Sequence, residues 1–145
     1  MRYVVSRVDD WQPVAEAIQQ RLEPGTLVLV RGPLGAGKTT LVQTLAKALG
    51  VKKVPKSPTF SLLRTYPVPG KTIQRLVHID AYRLEGGEDV RALGLDELWH
   101  EPGTVTVIEW PEHLGRYLDT FPGKRLELFI EPEGRDGVRR VRLQD

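Results

Sequence analysis

The 145-residue sequence predicts an α/β fold, a three-layer arrangement whose mostly parallel central sheet is flanked by antiparallel strands. Three observations predict it. Apolar, strand-like runs alternate with helical patterns along the chain, which is the signature of parallel strands joined by crossovers. One such strand runs directly into a Gly-rich loop and then a helix, at Gly32–Thr39. Near the end, two strand-like runs flank Gly134-Arg-Asp-Gly137, a hairpin signal that places antiparallel strands at the sheet's edge.

Each element can be justified in order. Arg2–Ser6 reads as a short strand. Asp9 or Asp10 can cap a helix that runs to about Leu22, with Trp11, Val14, Ile18 and Leu22 making one apolar face. Glu23-Pro24-Gly25 stops it. Thr26–Arg31 is an apolar strand, and after the Gly-rich loop a helical pattern runs from Thr40 to Leu49, closed by Gly50. Val51–Lys56 is basic and irregular; Ser57-Pro-Thr-Phe60 leads into a strand at Ser61–Tyr66, and Pro67–Gly70 turns the chain. Arg75–Asp80 is a buried-strand candidate ending in an acid. Glu88–Leu93 suggests a short helix ended by Gly94, and Asp96–Trp99 another helical turn. Thr104–Glu109 is a second apolar strand ending in an acid, followed by Pro111 at the first position of a short helix. Arg125–Ile130 and Val138–Leu143 complete the hairpin. No repeat, low-complexity tract or linker interrupts residues 1–145, so one domain is expected.

Composition bounds the function. A net charge of +2 is too small to argue for a nucleic-acid surface. The absence of cysteine excludes disulfides and thiolate metal sites. The N-terminus alternates apolar and polar residues, as at Tyr3 and Val5, and reads as neither a signal peptide nor a membrane span. A cytoplasmic protein without a membrane partner is the expectation.

Gly32-Pro-Leu-Gly-Ala-Gly-Lys-Thr39 is a complete phosphate-binding loop of the pattern G-x-x-x-x-G-K-[ST], in the strand–loop–helix context that the motif requires. Its glycines let backbone N–H groups wrap phosphates without a Cβ in the way. The helix N-terminus adds unpaired donors and partial positive charge. Gly35, Ala36, Gly37, Lys38, Thr39 and Thr40 are therefore the nucleotide-binding candidates, Lys38 for the β- and γ-phosphates and Thr39 for a magnesium ion.

A phosphate loop needs a second acid for the metal, and in open α/β sheets ligands gather at the carboxyl ends of strands. Asp80 and Glu109 each end a strand. Either alone also reads as a soluble strand end or a cap. His78 shares strand parity with Asp80 but reads first as a core histidine. Trp11 and Trp99 read as core, His100 and His113 as surface or loop residues, and Trp110 as a wall or a contact of the site. Ser57–Phe60 lies where segments can close over a γ-phosphate. No Asn-Lys-x-Asp occurs, which argues against guanine specificity, and Arg83 and Arg91 do not make the Arg-rich lid of a small-molecule kinase. From the residues alone, a small-molecule kinase, a nucleotide-dependent binding switch and an ATPase all stay open.

In sequence order, Gly32–Thr40, Ser57-Pro-Thr-Phe60, His78-Ile-Asp-Ala-Tyr-Arg-Leu84, Leu93-Gly-Leu95 and Ile108-Glu-Trp-Pro111 resemble the bacterial TsaE (YjeE) family, over roughly residues 1–143. The resemblance implies a P-loop NTPase-like fold and an ATPase, using ATP and Mg2+, that serves tRNA threonylcarbamoyladenosine synthesis. It implies TsaD and TsaB as partners and tRNA only indirectly, because the family member is not the transferase. It further implies that Lys38 contacts the phosphates, that Thr39 and Glu109 hold magnesium, and that Asp80 sits near the metal or the attacking water. Thr59 is implied near the γ-phosphate, and Asp9 and Arg139 on the adenine side. The chain departs from the family pattern at Pro33, where an acidic or polar residue is common, and at Ala81, where a larger apolar residue is usual.

Overall fold

In the computed structural model, residues 1–33, 35–53, 63–84, 94–134 and 136–145 are described. They form a mixed α/β fold around a seven-stranded sheet in the order β1-β7-β6-β2-β5-β4-β3. The strands are β1 (Arg2–Val5), β2 (Leu27–Arg31), β3 (Leu63–Pro67), β4 (Arg75–Asp80), β5 (Thr104–Glu109), β6 (Arg125–Glu133) and β7 (Val138–Gln144). The middle strands β6, β2, β5 and β4 are parallel. Antiparallel β3 lies on one edge, and β7 with β1 on the other. The expected parallel centre with antiparallel flanks is what the register shows.

Helices cover both faces. Helices α1 (Trp11–Arg21) and α2 (Lys38–Ala48) pack on one face, where Trp11, Val14, Ile18, Leu41 and Leu45 meet Val28, Val30, Val105 and Val107. On the other face α3 (Leu95–His100) and a 3-10 segment, Pro111–Thr120, bury Trp99, Leu114 and Phe121 against Leu27, Leu29, Val77, Ile79 and Ile108. Strand residues alternate between the two cores, as the period of two requires. Hence Leu76, His78 and Asp80 on β4, and Val105, Val107 and Glu109 on β5, belong to the α2 side.

Some boundaries differ from the sequence expectation for identifiable reasons. Helix α2 starts two residues earlier, at Lys38, because Gly37 enters it from the left-handed region at φ 97°. Asp10 occupies the cap position of α1 but makes no forward side-chain cap bond. A 3-10 turn, Val8–Asp10, precedes the helix, and the Asp10 carboxylate reaches back through it to accept from the Ser6 and Arg7 backbone N–H groups, at 2.9 Å each. The helix expected after Pro111 is instead a 3-10 segment broken at Gly115, whose φ of 54° and ψ of −135° no helix accommodates. The strand expected from Ser61 is seen from Leu63; residues 61–62, the Ser57–Phe60 loop with Thr59, and the Glu88–Leu93 helix lie outside the described residues.

The two backbone hydrogen bonds hold the Asp10 carboxyl below its usual value of 3.8. A carboxylate whose pKa is depressed by folding stabilises the fold above its unfolded pKa, and that contribution disappears as pH falls through the folded value. Asp10→Asn is therefore expected to melt at a lower temperature than the parent protein near pH 7. The gap should close as pH is brought below 3.8; thermal melts across that range measure it.

Candidate nucleotide site

The phosphate loop bridges β2 and α2 at the carboxyl end of the parallel strands, where the sheet geometry gathers ligands. Three elements hold its backbone. Lys38 donates from Nζ to the Gly32 and Pro33 carbonyls, both at 2.7 Å. Arg139 on β7 donates from Nε to Ala36 O at 3.0 Å and from Nη2 to Gly35 O at 2.7 Å. Trp11, at the start of α1, lies against Gly37 so closely that a Cβ there would stand 2.6 Å from its ring.

Lys38 is 5% exposed, with Nζ 4.2 Å from the centroid of the Trp110 ring. Burial pulls its ammonium below the usual lysine range, and the carboxylates of Glu109, Glu112 and Asp80 oppose that shift. Trp110 is the one non-glycine residue with positive φ among those described, at φ 59° and ψ 50°. A bulky residue in this region costs about 1–3 kcal/mol, and here it turns the chain sharply from Glu109 into Pro111 while the ring lies over Lys38.

Glu109 is a buried carboxylate, 3% exposed, with both oxygens engaged. Oε2 lies 2.6 Å from Nε2 of His78, and Oε1 accepts from the Thr39 hydroxyl at 3.3 Å. Asp80 is the register partner of Glu109 on the adjacent parallel strand. Its Oδ1 accepts the Tyr82 backbone N–H at 3.1 Å, a local turn that fixes the chain leaving β4. His113 binds the same exit segment: Nδ1 donates to the carbonyls of Ala81 at 3.0 Å and Tyr82 at 2.8 Å.

The structure thus brings together Gly35, Ala36, Gly37, Lys38, Thr39, Asp80 and Glu109. Asp9 and Thr40 line a neighbouring cleft of about 510 Å3 between the start of α1 and the outer side of α2, with Gln12 and Lys47. Arg139 is engaged with the loop carbonyls. Pro33 uses its carbonyl, which any residue would offer, and Ala81 is fully buried. His78 is buried in the core, as the sequence suggests, and it also binds Glu109. One reading needs correction. His113 is half-buried and ties the end of β4 to the segment after β5. Strand parity with Asp80 was the available signal for His78; no local pattern marks His113.

Comparison with known proteins places this geometry. The signature of the family described as "Threonylcarbamoyl adenosine biosynthesis protein TsaE" matches residues 5–141. The chain belongs to the TsaE family. It is 33% identical over 128 residues to the tRNA threonylcarbamoyladenosine biosynthesis protein TsaE of Bacillus subtilis, covering 88% of this chain and 75% of that protein. It is 37% identical over 121 residues to the protein of that name from Treponema pallidum, covering 83% of this chain and 86% of the relative. The crystal structure of Bacillus subtilis YdiB superposes with a TM-score of 0.72 at 27% identity, over 97% of this chain and 82% of that one. TsaE proteins take their name from a tRNA modification, and the phosphate loop, Asp80 and Glu109 of this TsaE chain lie at the carboxyl ends of its parallel strands.

Gly37 carries the tightest steric demand in the site. Gly37→Ala adds a methyl group 2.6 Å from Trp11 at a φ of 97°. It is expected to lower stability by about 1–3 kcal/mol, read from denaturant unfolding. Gly35→Ala, whose Cβ meets nothing within 4 Å, bears only the cost of its positive φ of 74° and should lose less.

Proposed function

We propose that this TsaE chain is a magnesium-dependent ATPase that sustains turnover of tRNA threonylcarbamoyladenosine synthesis, acting with TsaD and TsaB while another protein performs the transfer. The observation that supports it best is the convergence of a complete phosphate loop on the buried Glu109, which accepts from Thr39.

The donor set suits Mg2+. Among the described residues no group of three or more His, Cys, Asp or Glu is placed to hold a metal. Mg2+ characteristically takes one or two carboxylates and completes its shell with phosphate oxygens and water. Thr39 and Glu109 are the residues that would hold it, and when bound it offsets negative charge on the phosphates. Thr59 remains the candidate near the γ-phosphate, Thr40 a candidate at the phosphate loop, and Asp9 and Arg139 the candidates toward the base.

The chain's own groups then divide the work. The loop N–H groups and Lys38 bind the phosphates, and Lys38 must exchange its bonds to Gly32 and Pro33 for phosphate contacts to do so fully. The Trp110 ring keeps water from one side of the ammonium. Asp80 or Glu109 orients the attacking water or takes its proton. Arg139 is held by loop carbonyls, and Arg31 by Glu112 and Glu127 at 3.4 and 3.2 Å, so neither serves as an arginine finger here. Slow hydrolysis by the isolated chain follows, with a partner completing the site. The described residues contain no helix long and apolar enough to cross a membrane; the proposed tRNA-modifying role places the chain in the cytoplasm.

Three measurements test the reading. Lys38→Ala is expected to abolish ATP binding or turnover, and an unchanged rate would overturn the phosphate-loop assignment. Adding TsaB and TsaD should raise the ATPase rate at least about tenfold, a barrier change of about 1.4 kcal/mol. Single-turnover ATP hydrolysis with the partners present separates an ATPase from a switch that only binds.

A further inference from the structure

We infer that His78 is a positioning residue for the metal-facing carboxylate: its Nε2–H fixes one oxygen of Glu109 so that the other is presented at Thr39. This deepens the ATPase reading and rests on it for the identity of the cation.

The observation that carries the inference is a fully buried imidazole with one partnered nitrogen and one bare one. His78 is 0% exposed, its Nε2 lies 2.6 Å from Glu109 Oε2, and its Nδ1 is buried without a hydrogen-bond partner. Only one protonation pattern satisfies that arrangement. A proton on Nε2 donates to the carboxylate and leaves Nδ1 as a lone pair. A proton on Nδ1 alone would set two acceptors against each other at 2.6 Å. Protons on both nitrogens would bury an unpartnered N–H donor, which is costlier than an unpartnered lone pair.

The neighbours argue against simple filling. His78 lies on β4 opposite Val107 of β5 and Arg64 of β3, while Val77 and Ile79 beside it face the other core. A leucine would fill the space without leaving a polar atom orphaned. What the imidazole adds is one donor, aimed at a carboxylate two residues beyond its register partner. Glu109, for its part, has few ways to be oriented. The hydroxyl of Thr39 is a single contact at 3.3 Å and must turn toward the cation when one is held. His78 is then the remaining side-chain donor on Glu109 among the described residues. It stands to the carboxylate as outer partners stand to metal ligands generally, setting orientation from outside the coordination shell.

Two experiments test this. Side-chain 15N–1H NMR of the nucleotide-free protein is expected to find the His78 proton on Nε2; a proton on Nδ1 overturns the inference. Equilibrium ATP binding is then measured in EDTA and in Mg2+. His78→Leu is expected to bind ATP as the parent does in EDTA but to lose about tenfold or more of the Mg2+ enhancement. His78→Gln, whose amide can donate from near the Nε2 position, is expected to recover most of it. In a Glu109→Gln background, His78→Leu should change the Mg2+ effect no further. Full Mg2+ enhancement in the Leu variant, or a well-folded Gln variant as impaired as Leu, shows that the ring only fills space and ends the proposal. A parent protein without Mg2+-dependent ATP binding removes the ATPase reading and the metal-positioning role together. The NMR result separates that failure from a failure of the His78–Glu109 contact.

Discussion

The burial of the Glu109 carboxylate is the constraint on which the site depends. A carboxylate 3% exposed loses most of its hydration, a cost of several kcal/mol unless other groups replace the water. Two elements do so: β4 through His78, and the first turn of α2 through Thr39. Those contacts require β4 and β5 to be parallel neighbours in their observed register, and α2 to begin where Gly37 launches it. The position of one charge therefore couples two strands and a helix. Apolar alternation on β4 and β5 sets the faces, and the carboxylate sets which strand ends face the loop.

The phosphate loop is subject to a different constraint, the lack of any regular structure of its own. Its carbonyls would point into solvent or a void if nothing bound them. Lys38 takes two and Arg139 two more, while Trp11 fills the space under Gly37. These residues come from the loop's own helix, from β7 near the end of the chain and from the start of α1. The loop is thus braced by long-range contacts, and its shape requires the edge hairpin to be in place as much as the central strands. The antiparallel flank earns a role here beyond closing the sheet, since it delivers the guanidinium that holds the loop's outer turn.

Much of this was legible in the sequence because it depends on local pattern. Strand, loop and helix around Gly32–Thr39 follow from adjacent residues, and so do the acids ending β4 and β5. The parallel centre and antiparallel flank followed from the spacing of apolar runs and from the turn at Gly134–Gly137. What could not be read were contacts that strand pairing creates. His78 and Glu109 are 31 residues apart, and only the β4–β5 register makes them partners. His113 looked like a surface residue because its two carbonyl partners lie across the fold on the exit of β4. Asp10 does stand at the cap position of α1, but a 3-10 turn ahead of the helix turns its carboxylate back to the Ser6 and Arg7 N–H groups. The positive φ of Trp110 had no sequence signal, because the residue type argues against that conformation and only the packing over Lys38 explains it.

The charges around Lys38 carry the argument for a cation furthest. Its ammonium is felt by three carboxylates, Glu109, Glu112 and Asp80, of which Glu112 is partly balanced by Arg31. Before any ligand arrives, the end of the site beyond the loop is therefore more acidic than basic. A polyanion brought there meets helix-end donors and one lysine on one side and strand-end acids on the other. Coulombic repulsion between phosphate and carboxylate at short range is worth about 4 kcal/mol per close pair at a protein surface, as much as one lysine–phosphate pair at that distance attracts, and the acids here outnumber the lysine. On the proposed reading, a nucleotide carrying a divalent cation suits such a site better than a nucleotide alone. On that reading, the acids at the ends of β4 and β5 do more than lend a ligand to the metal. They make the phosphates bind more tightly with the metal than without it, and that couples the buried Glu109 and its histidine to nucleotide binding as well as to hydrolysis.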